Sequence, residues 1–156
     1  MTISRIAAVA CAVVLAGTVV AAQEQEKTIA RSKLPPAVEK TVAEQSQGAT
    51  IKGFSTEVEN GKTLYEVELA VNGHGKDILM DAQGHVVEIE EEVALASLAP
   101  AVKDGLTKAA KGGKISRVES LTKQGKLVAY EAVVTTGKTQ SEIQVGPGGQ
   151  ALSRPE

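Results

Sequence analysis

The chain is written twice, and this constrains its fold more than any other feature. Leu34-Pro35-Pro36-Ala37-Val38 aligns with Leu98-Ala99-Pro100-Ala101-Val102 at an offset of 64, which also superposes Gly48 on Gly112, Ile51 on Ile115 and Asn60-Gly61 on Gln124-Gly125. Beyond that turn the offset is 65: Tyr65-Glu66 falls on Tyr130-Glu131, Ile78 on Ile143 and Gly84 on Gly149. A unit of about 60 residues buries only about 60% of the surface its unfolded chain exposes. Two marginal units are therefore expected to dock, most simply by sharing one continuous sheet.

Each unit opens with a helical period, Leu34, Val38 and Val42 in the first and Leu98, Val102 and Leu106 in the second. Proline near each start suits a first helical turn, and Gly48 and Gly112-Gly113 suit helix ends. The period then changes to alternation, punctuated at Asn60-Gly61, Asn72-Gly73, Ala82-Gln83-Gly84, Gln124-Gly125 and Gly146-Pro147-Gly148-Gly149. The expected fold class is α+β: two tandem repeats, each a helix followed by four antiparallel strands, with the helix packed on one sheet face. A two-residue turn at Asn60-Gly61 pairs positions whose numbers sum to 121. Val58, Thr56 and Phe54 then share a face with Thr63, Tyr65 and Val67, and Glu57, Glu59, Lys62, Leu64, Glu66 and Glu68 share the other. In the second copy a three-residue turn would pair Val118 with Ala132 and Ser120 with Tyr130, and would account for the slip from 64 to 65.

Ahead of the repeats, Arg5 precedes Ile6–Ala22, seventeen uncharged residues that end in Val20-Ala21-Ala22 before Gln23-Glu24-Gln25-Glu26. This reads as a secretory signal peptide cleaved after Ala22. The alternative, an uncleaved anchor, would need a span at the lower limit for crossing a bilayer. Cys11, the one cysteine, has Ala8 where a lipobox wants a larger aliphatic, and would be discarded with the leader. The expected organisation is a signal peptide 1–22, an N-terminal linker 23–33, repeat 1 over 34–92, a linker 93–97 and repeat 2 over 98–156. A mature chain without cysteine has no thiol nucleophile and no Cys-ligated metal.

Leu-Pro-Pro-Ala-Val opening a helix, then Gly-Lys-Thr-Leu-Tyr65-Glu-Val-Glu-Leu, then Asp77-Ile-Leu-Met-Asp81-Ala-Gln-Gly84, resemble the PepSY-like, β-lactamase-inhibitor-like (BLIP-like) family of exported bacterial proteins. The resemblance covers the two repeats, and is closer in the first. It implies an α+β fold outside the cytoplasm and a role in binding or restraining other proteins, peptidases being the proposed targets, with no catalytic residues. Asp81 and Gly84 match a family turn whose second-copy equivalents are Gly146 and Gly149, which makes Asp81 a turn-forming residue.

Composition narrows the chemistry. Aromatic residues are 2% of the chain and the formal net charge is −2, so neither an aromatic-lined cofactor pocket nor a basic footprint for nucleic acid is expected. His74 and His85 both neighbour glycine in predicted turns, on the order of 30 Å apart along a strand, and cannot share a metal. His74, Asp77 and Asp81 form a weak alternative set of oxygen and nitrogen ligands for a divalent ion. No Gly-x-Ser-x-Gly elbow or phosphate loop is present. Split by copy, residues 34–92 hold 12 acidic and 4 basic side chains, whereas residues 98–156 hold 5 and 9. Such a molecule can complement itself across its repeats, associate head-to-tail or steer a charged partner. Glu88-Ile-Glu-Glu-Glu92 reads as the end of a strand running into the linker.

The expectation is a periplasmic or secreted, non-catalytic module, without a cofactor, that binds a protein or peptide. It would act through the outward face of its sheet: Leu121, Leu127, Ala129 and Val133 in the second copy, Leu64, Glu57, Glu66 and Glu68 in the first. Inhibition of an extracytoplasmic peptidase is its finer form. The alternatives are a divalent-metal-binding or sensing protein and a structural envelope component. Homo-oligomerisation stays open, and neither nucleic acid nor stable membrane insertion after leader cleavage is expected.

Overall fold

Both helices start where the sequence places proline. In the computed structural model, which describes residues 26–152, α1 is Pro36–Gln45 and α2 is Pro100–Ala109. A first-turn proline costs no hydrogen bond, because that N–H has no intrahelical partner. Val38 and Val42, one turn apart, are wholly buried, and Val102 and Leu106 repeat the pattern. Leu34 and Leu98 lie one step outside the helices, in extended backbone that follows a short 3-10 turn in each unit, yet both join the cores. The leader expected over residues 1–22 lies outside the described residues.

Eight strands complete the chain: β1 (Lys27–Thr28), β2 (Thr50–Glu59), β3 (Lys62–Val71), β4 (His74–Met80), β5 (Val86–Glu92), β6 (Lys114–Lys123), β7 (Lys126–Thr136) and β8 (Thr139–Val145). They form one antiparallel sheet in sequence order, and β5 pairs with β6 to carry the sheet from one helix-plus-strand unit into the other. Both helices pack on the same side, since their cores draw on a single strand parity. Phe54, Val67, Ile78 and Met80 lie under α1, while Val118, Ala132 and Val145 lie under α2.

Register decides which side chains reach that core. The first hairpin pairs Glu59 with Lys62, Val58 with Thr63, Thr56 with Tyr65 and Phe54 with Val67, the register expected of a two-residue turn. Strict alternation would put Ile51 on the wrong side of β2. A register shift between Ile51 and Gly53 returns it to the core, and the same shift between Ile115 and Arg117 does this for Ile115 in the second unit.

The second hairpin corrects one expectation. Val118 does pair with Ala132 and Ser120 with Tyr130, but Lys123 also pairs with Lys126, so the turn at Gln124-Gly125 has two residues. The added residue sits inside β7, where Leu121 pairs with Ala129 and Thr122 with Leu127, leaving Val128 as a bulge. Gln124 takes φ 50° and Gly125 φ 78°, which a two-residue turn of this hand requires. A bulge therefore absorbs the insertion while the turn keeps the form of its counterpart.

The units also share a turn pressed against the helix start. Asp81 N–H donates to the His85 carbonyl at 3.0 Å and Gly84 N–H to Asp81 at 2.9 Å; Gly146 and Gly149 repeat this at 2.8 Å each. Gly84 (φ 79°) and Gly149 (φ 80°) are left-handed, and a Cβ on either would strike the carbonyl of Ala37 or Ala101. Thr41 Oγ1 donates to Gly84 O at 2.8 Å, whereas its counterpart Gly105 has no side chain and lets the Gly149 carbonyl approach α2 directly. After this turn the units diverge. The first continues into β5; the second shows, among the described residues, one isolated bridge between Val145 and Ala151.

Two substitutions separate backbone conformation from this close approach. Gly125→Ala, with open space around its Cβ, is expected to lower stability by about 1–2 kcal/mol, the cost of a left-handed alanine. Gly149→Ala adds the clash with Ala101, bringing the loss to roughly 2–5 kcal/mol. Urea unfolding midpoints of the two variants test this, and equal losses would contradict it.

Candidate functional site

The helices leave one face of the sheet bare, and strand parity loads it with carboxylates. Glu57, Glu66 and Glu68 come from β2 and β3, and Asp77 pairs across to Glu68 on one side and Glu90 on the other. Glu92, Glu119, Glu131 and Gln144 follow one another across β5 to β8. Glu88 and Glu142 carry the charge to either end. Arg117 and Lys123 answer them, Arg117 Nη2 lying 3.4 Å from Glu119 and Lys123 Nζ 3.4 Å from Glu88, while Lys62, Lys114 and Lys126 stand at strand ends.

The charge asymmetry expected between copies persists on this face: its acids come mostly from the first unit and its bases, Lys62 apart, from the second. Even the basic second unit sends Glu119, Glu131 and Glu142 to the helix-free side, while Lys103 and Lys108 ride on α2. On the helix side Lys76 meets Glu91 at 3.9 Å.

The apolar patch expected on this face takes a different form. Leu121 is 2% exposed, Ala129 0% and Leu64 5%, so they are interior residues of the face. Among the described residues no helix packs on them; their strand neighbours on that side are Glu57 for Leu64, and Glu90 and Ala129 for Leu121. Leu127 leaves the face, because the Val128 bulge pairs it with Thr122 on the helix side. Val133 remains on the helix-free side, half-buried between Arg117 and Glu142.

Burial reaches charged groups too. Glu66 is 8% exposed and accepts a 2.5 Å hydrogen bond from the Ser55 hydroxyl, itself 1% exposed. Desolvation pushes the Glu88 carboxyl above its ordinary pKa, with the carboxylates of Glu59 and Glu131 adding to it, and Lys123 opposes the rise. Carboxylate oxygens of Asp77, Glu90 and Glu119 lie within 4.8 Å of one another.

The His74/Asp77/Asp81 set is not brought together. His74 opens β4 and Asp81 follows its last residue, while Asp77 turns to Glu68 and Glu90. Asp81 instead builds its turn: its Oδ1 accepts the Gln83 and His85 N–H groups at 2.9 Å each, and Oδ2 lies 3.0 Å from His85 Nδ1. Burial raises the Asp81 pKa, but the hydrogen bonds from His85 and Gln83 outweigh it and leave the carboxyl below its usual value. Glu88, Glu90, Glu92, Glu119, Glu131 and Glu142 were missed as site residues. The alternation Glu88-x-Glu90-x-Glu92 was the available signal.

Among the described residues no helix is long and apolar enough to cross a membrane. Comparison with protein-family models and with curated protein sequences returns no match. The fold, by contrast, recurs in solved structures. A Bacteroides eggerthii protein described as periplasmic superposes with a TM-score of 0.63 at 15% identity, over 76% of this chain and 85% of its own. A DUF2874 family protein from Bacteroides ovatus gives 0.60 at 18%, over 76% and 84%. A BLIP-like protein from Bacteroides fragilis gives 0.55 at 21%, over 74% and 81%. This chain shares its fold with all three.

The Glu88 environment predicts a pH signature. A carboxyl whose folded pKa is raised weakens stability at pH values above that pKa, and the penalty disappears once pH falls below the unfolded value of about 4.3. Glu88→Gln is expected to raise the thermal midpoint at pH 7 and to match the wild type near pH 4. Melting curves across that range check it; an equal gain at both pH values would mean that the charge is not the cause.

Proposed function

We propose that this protein is an exported, non-catalytic binding module whose helix-free sheet face receives a cationic segment of another protein. The observation that carries the reading is the gathering of carboxylates from β2 through β8 onto one face, with its bases paired or at the strand ends. A face with an excess of carboxylates raises the local concentration of an oppositely charged partner and orients its approach. The interior Leu64, Leu121 and Ala129 keep the floor of this face dry, which strengthens charge interactions above it.

Export rests on the leader-like residues 1–22 and on the fold shared with a protein described as periplasmic. The PepSY-like resemblance and the fold shared with a BLIP-like protein favour restraint of an extracytoplasmic enzyme, a peptidase above all, as the finer activity. In that form the bound enzyme would be slowed by occlusion, with no covalent step.

Titration with an oligolysine peptide tests the face. Binding is expected to weaken steeply as salt rises, and Glu68→Lys with Glu90→Lys to weaken it at least about tenfold, which is ~1.4 kcal/mol. Affinity indifferent to both would overturn the reading. A second reading, divalent-cation binding, is favoured by the convergence of Asp77, Glu90 and Glu119. Its expected outcome is a heat of calcium binding in calorimetry that Asp77→Asn removes.

A further inference from the structure

The first unit contains a worked example of what the second unit's edge can hold. At the offset of 65, β4 corresponds to β8, the Asp81–Gly84 turn to Gly146–Gly149, and the Met80–Val86 pairing to the isolated bridge between Val145 and Ala151. In the first unit the chain runs on from Val86 as β5, laying Glu88, Ile89, Glu90 and Glu91 beside Leu79, Ile78, Asp77 and Lys76. In the second, β8 is the edge of the sheet, and no strand of the described residues lies outside it.

Two further differences mark the same place. Ile78 is wholly buried, flanked by Ile89, whereas its counterpart Ile143 stays half-buried. A cleft of about 360 Å³ lies between the end of α2 and β8, lined by Ala109, Ala110, Val134, Thr136, Ser141 and Ile143, with Lys111 at the helix end. At the corresponding positions the first unit has the larger Leu69 for Val134 and the apolar Val71 for Thr136. It also has Lys76 for Ser141, and Lys76 is held by Glu91 of β5.

We infer that the outer edge of β8 is a strand-addition site, taking in the register of β5 an extended segment of a partner protein that alternates aliphatic and cationic residues. The site goes beyond the charged face of the proposed function. Thr136 and Thr139 flank a two-residue turn and form a hydrogen-bonded pair. Gln140, Glu142 and Gln144 therefore turn their backbone groups toward the outer edge. Residues at the places of Ile89 and Glu91 would stand beside Ile143 and Ser141, over the cleft, where Val134 and Ile143 offer an aliphatic side chain its contacts and Lys111 disfavours a cation. Those at the places of Glu88 and Glu90 would stand beside Gln144 and Glu142, on the acidic side with Glu131 in the adjacent strand. Backbone pairing supplies the affinity and the alternating side chains the selectivity. A second copy offering β8 would bring its own Glu142 to that acidic side, which disfavours self-pairing.

The probe is a capped peptide, Thr-Lys-Val-Lys-Ile-Lys-Thr, titrated into the isotope-labelled protein and followed by backbone amide shifts. The largest shifts are expected at Gln140, Glu142 and Gln144 and in the residues lining the cleft. N-methylation of the peptide on its pairing side is expected to weaken binding at least about tenfold. Gln140→Pro, which alters the edge without removing a charge, is expected to weaken it while leaving the thermal midpoint close to wild type. Equal affinity of the N-methylated peptide, or no binding at millimolar concentration, would overturn the proposal. Shifts confined to the charged face of β3 to β6 would also overturn it while leaving the proposed function standing. Dimerisation without peptide, with shifts at β8, would assign the edge to a second copy instead.

Discussion

Side-chain parity along a continuous antiparallel ladder governs this molecule. Alternate residues of each strand point to opposite faces, and a slip of one position would exchange the faces of every residue beyond it. Sharing one sheet through β5 and β6 imposes that rule across both units. Aliphatic residues of one parity then meet under α1 and α2, while carboxylates of the other parity are driven together. Core and charged face follow from a single registration, so neither can be rearranged without the other.

Bulges are what keep this rule compatible with the sequence. Ile51 and Phe54 are three residues apart, as are Ile115 and Val118, and both pairs reach the core only because a bulge lies between them. The irregularity between Leu79 and Met80 in the β4–β5 pairing lets Val86 and Ile89 share a face in the same way. At Val128 the second unit carries one more, which removes Leu127 from the helix-free side and leaves Leu121 and Ala129 as its apolar floor. A partly dry face results, on which Glu66 and Glu119 are nearly inaccessible and Glu88 holds its proton more tightly than usual.

Much of the frame was legible beforehand. Proline starts, the valine and leucine spacings of the helices, and Asn60-Gly61 gave the helices and the first hairpin, because helix entry and tight turns depend on residues adjacent in sequence. The site was less so. Leu121, Leu127, Ala129 and Val133 read as one exposed apolar group, since alternation tells which face a residue takes but not how deeply it is buried there or where a bulge resets the count. The acids of β5 were passed over as a strand end, because their meaning depends on Asp77 and Glu119 of neighbouring strands.

The sequence by itself determined the helix-plus-strand order, the turns at Asn60-Gly61, Asn72-Gly73 and Gln124-Gly125 but not that at Gly137-Lys138, and the register of the first hairpin, all consequences of local backbone preference and side-chain period. Only tertiary structure decided that β5 would join the units, that carboxylates from β2 to β8 would gather on one face, and that β8 would be the edge among the described residues. These outcomes depend on pairings between residues distant in the chain, where each carboxylate's surroundings are set by strands that local sequence does not specify.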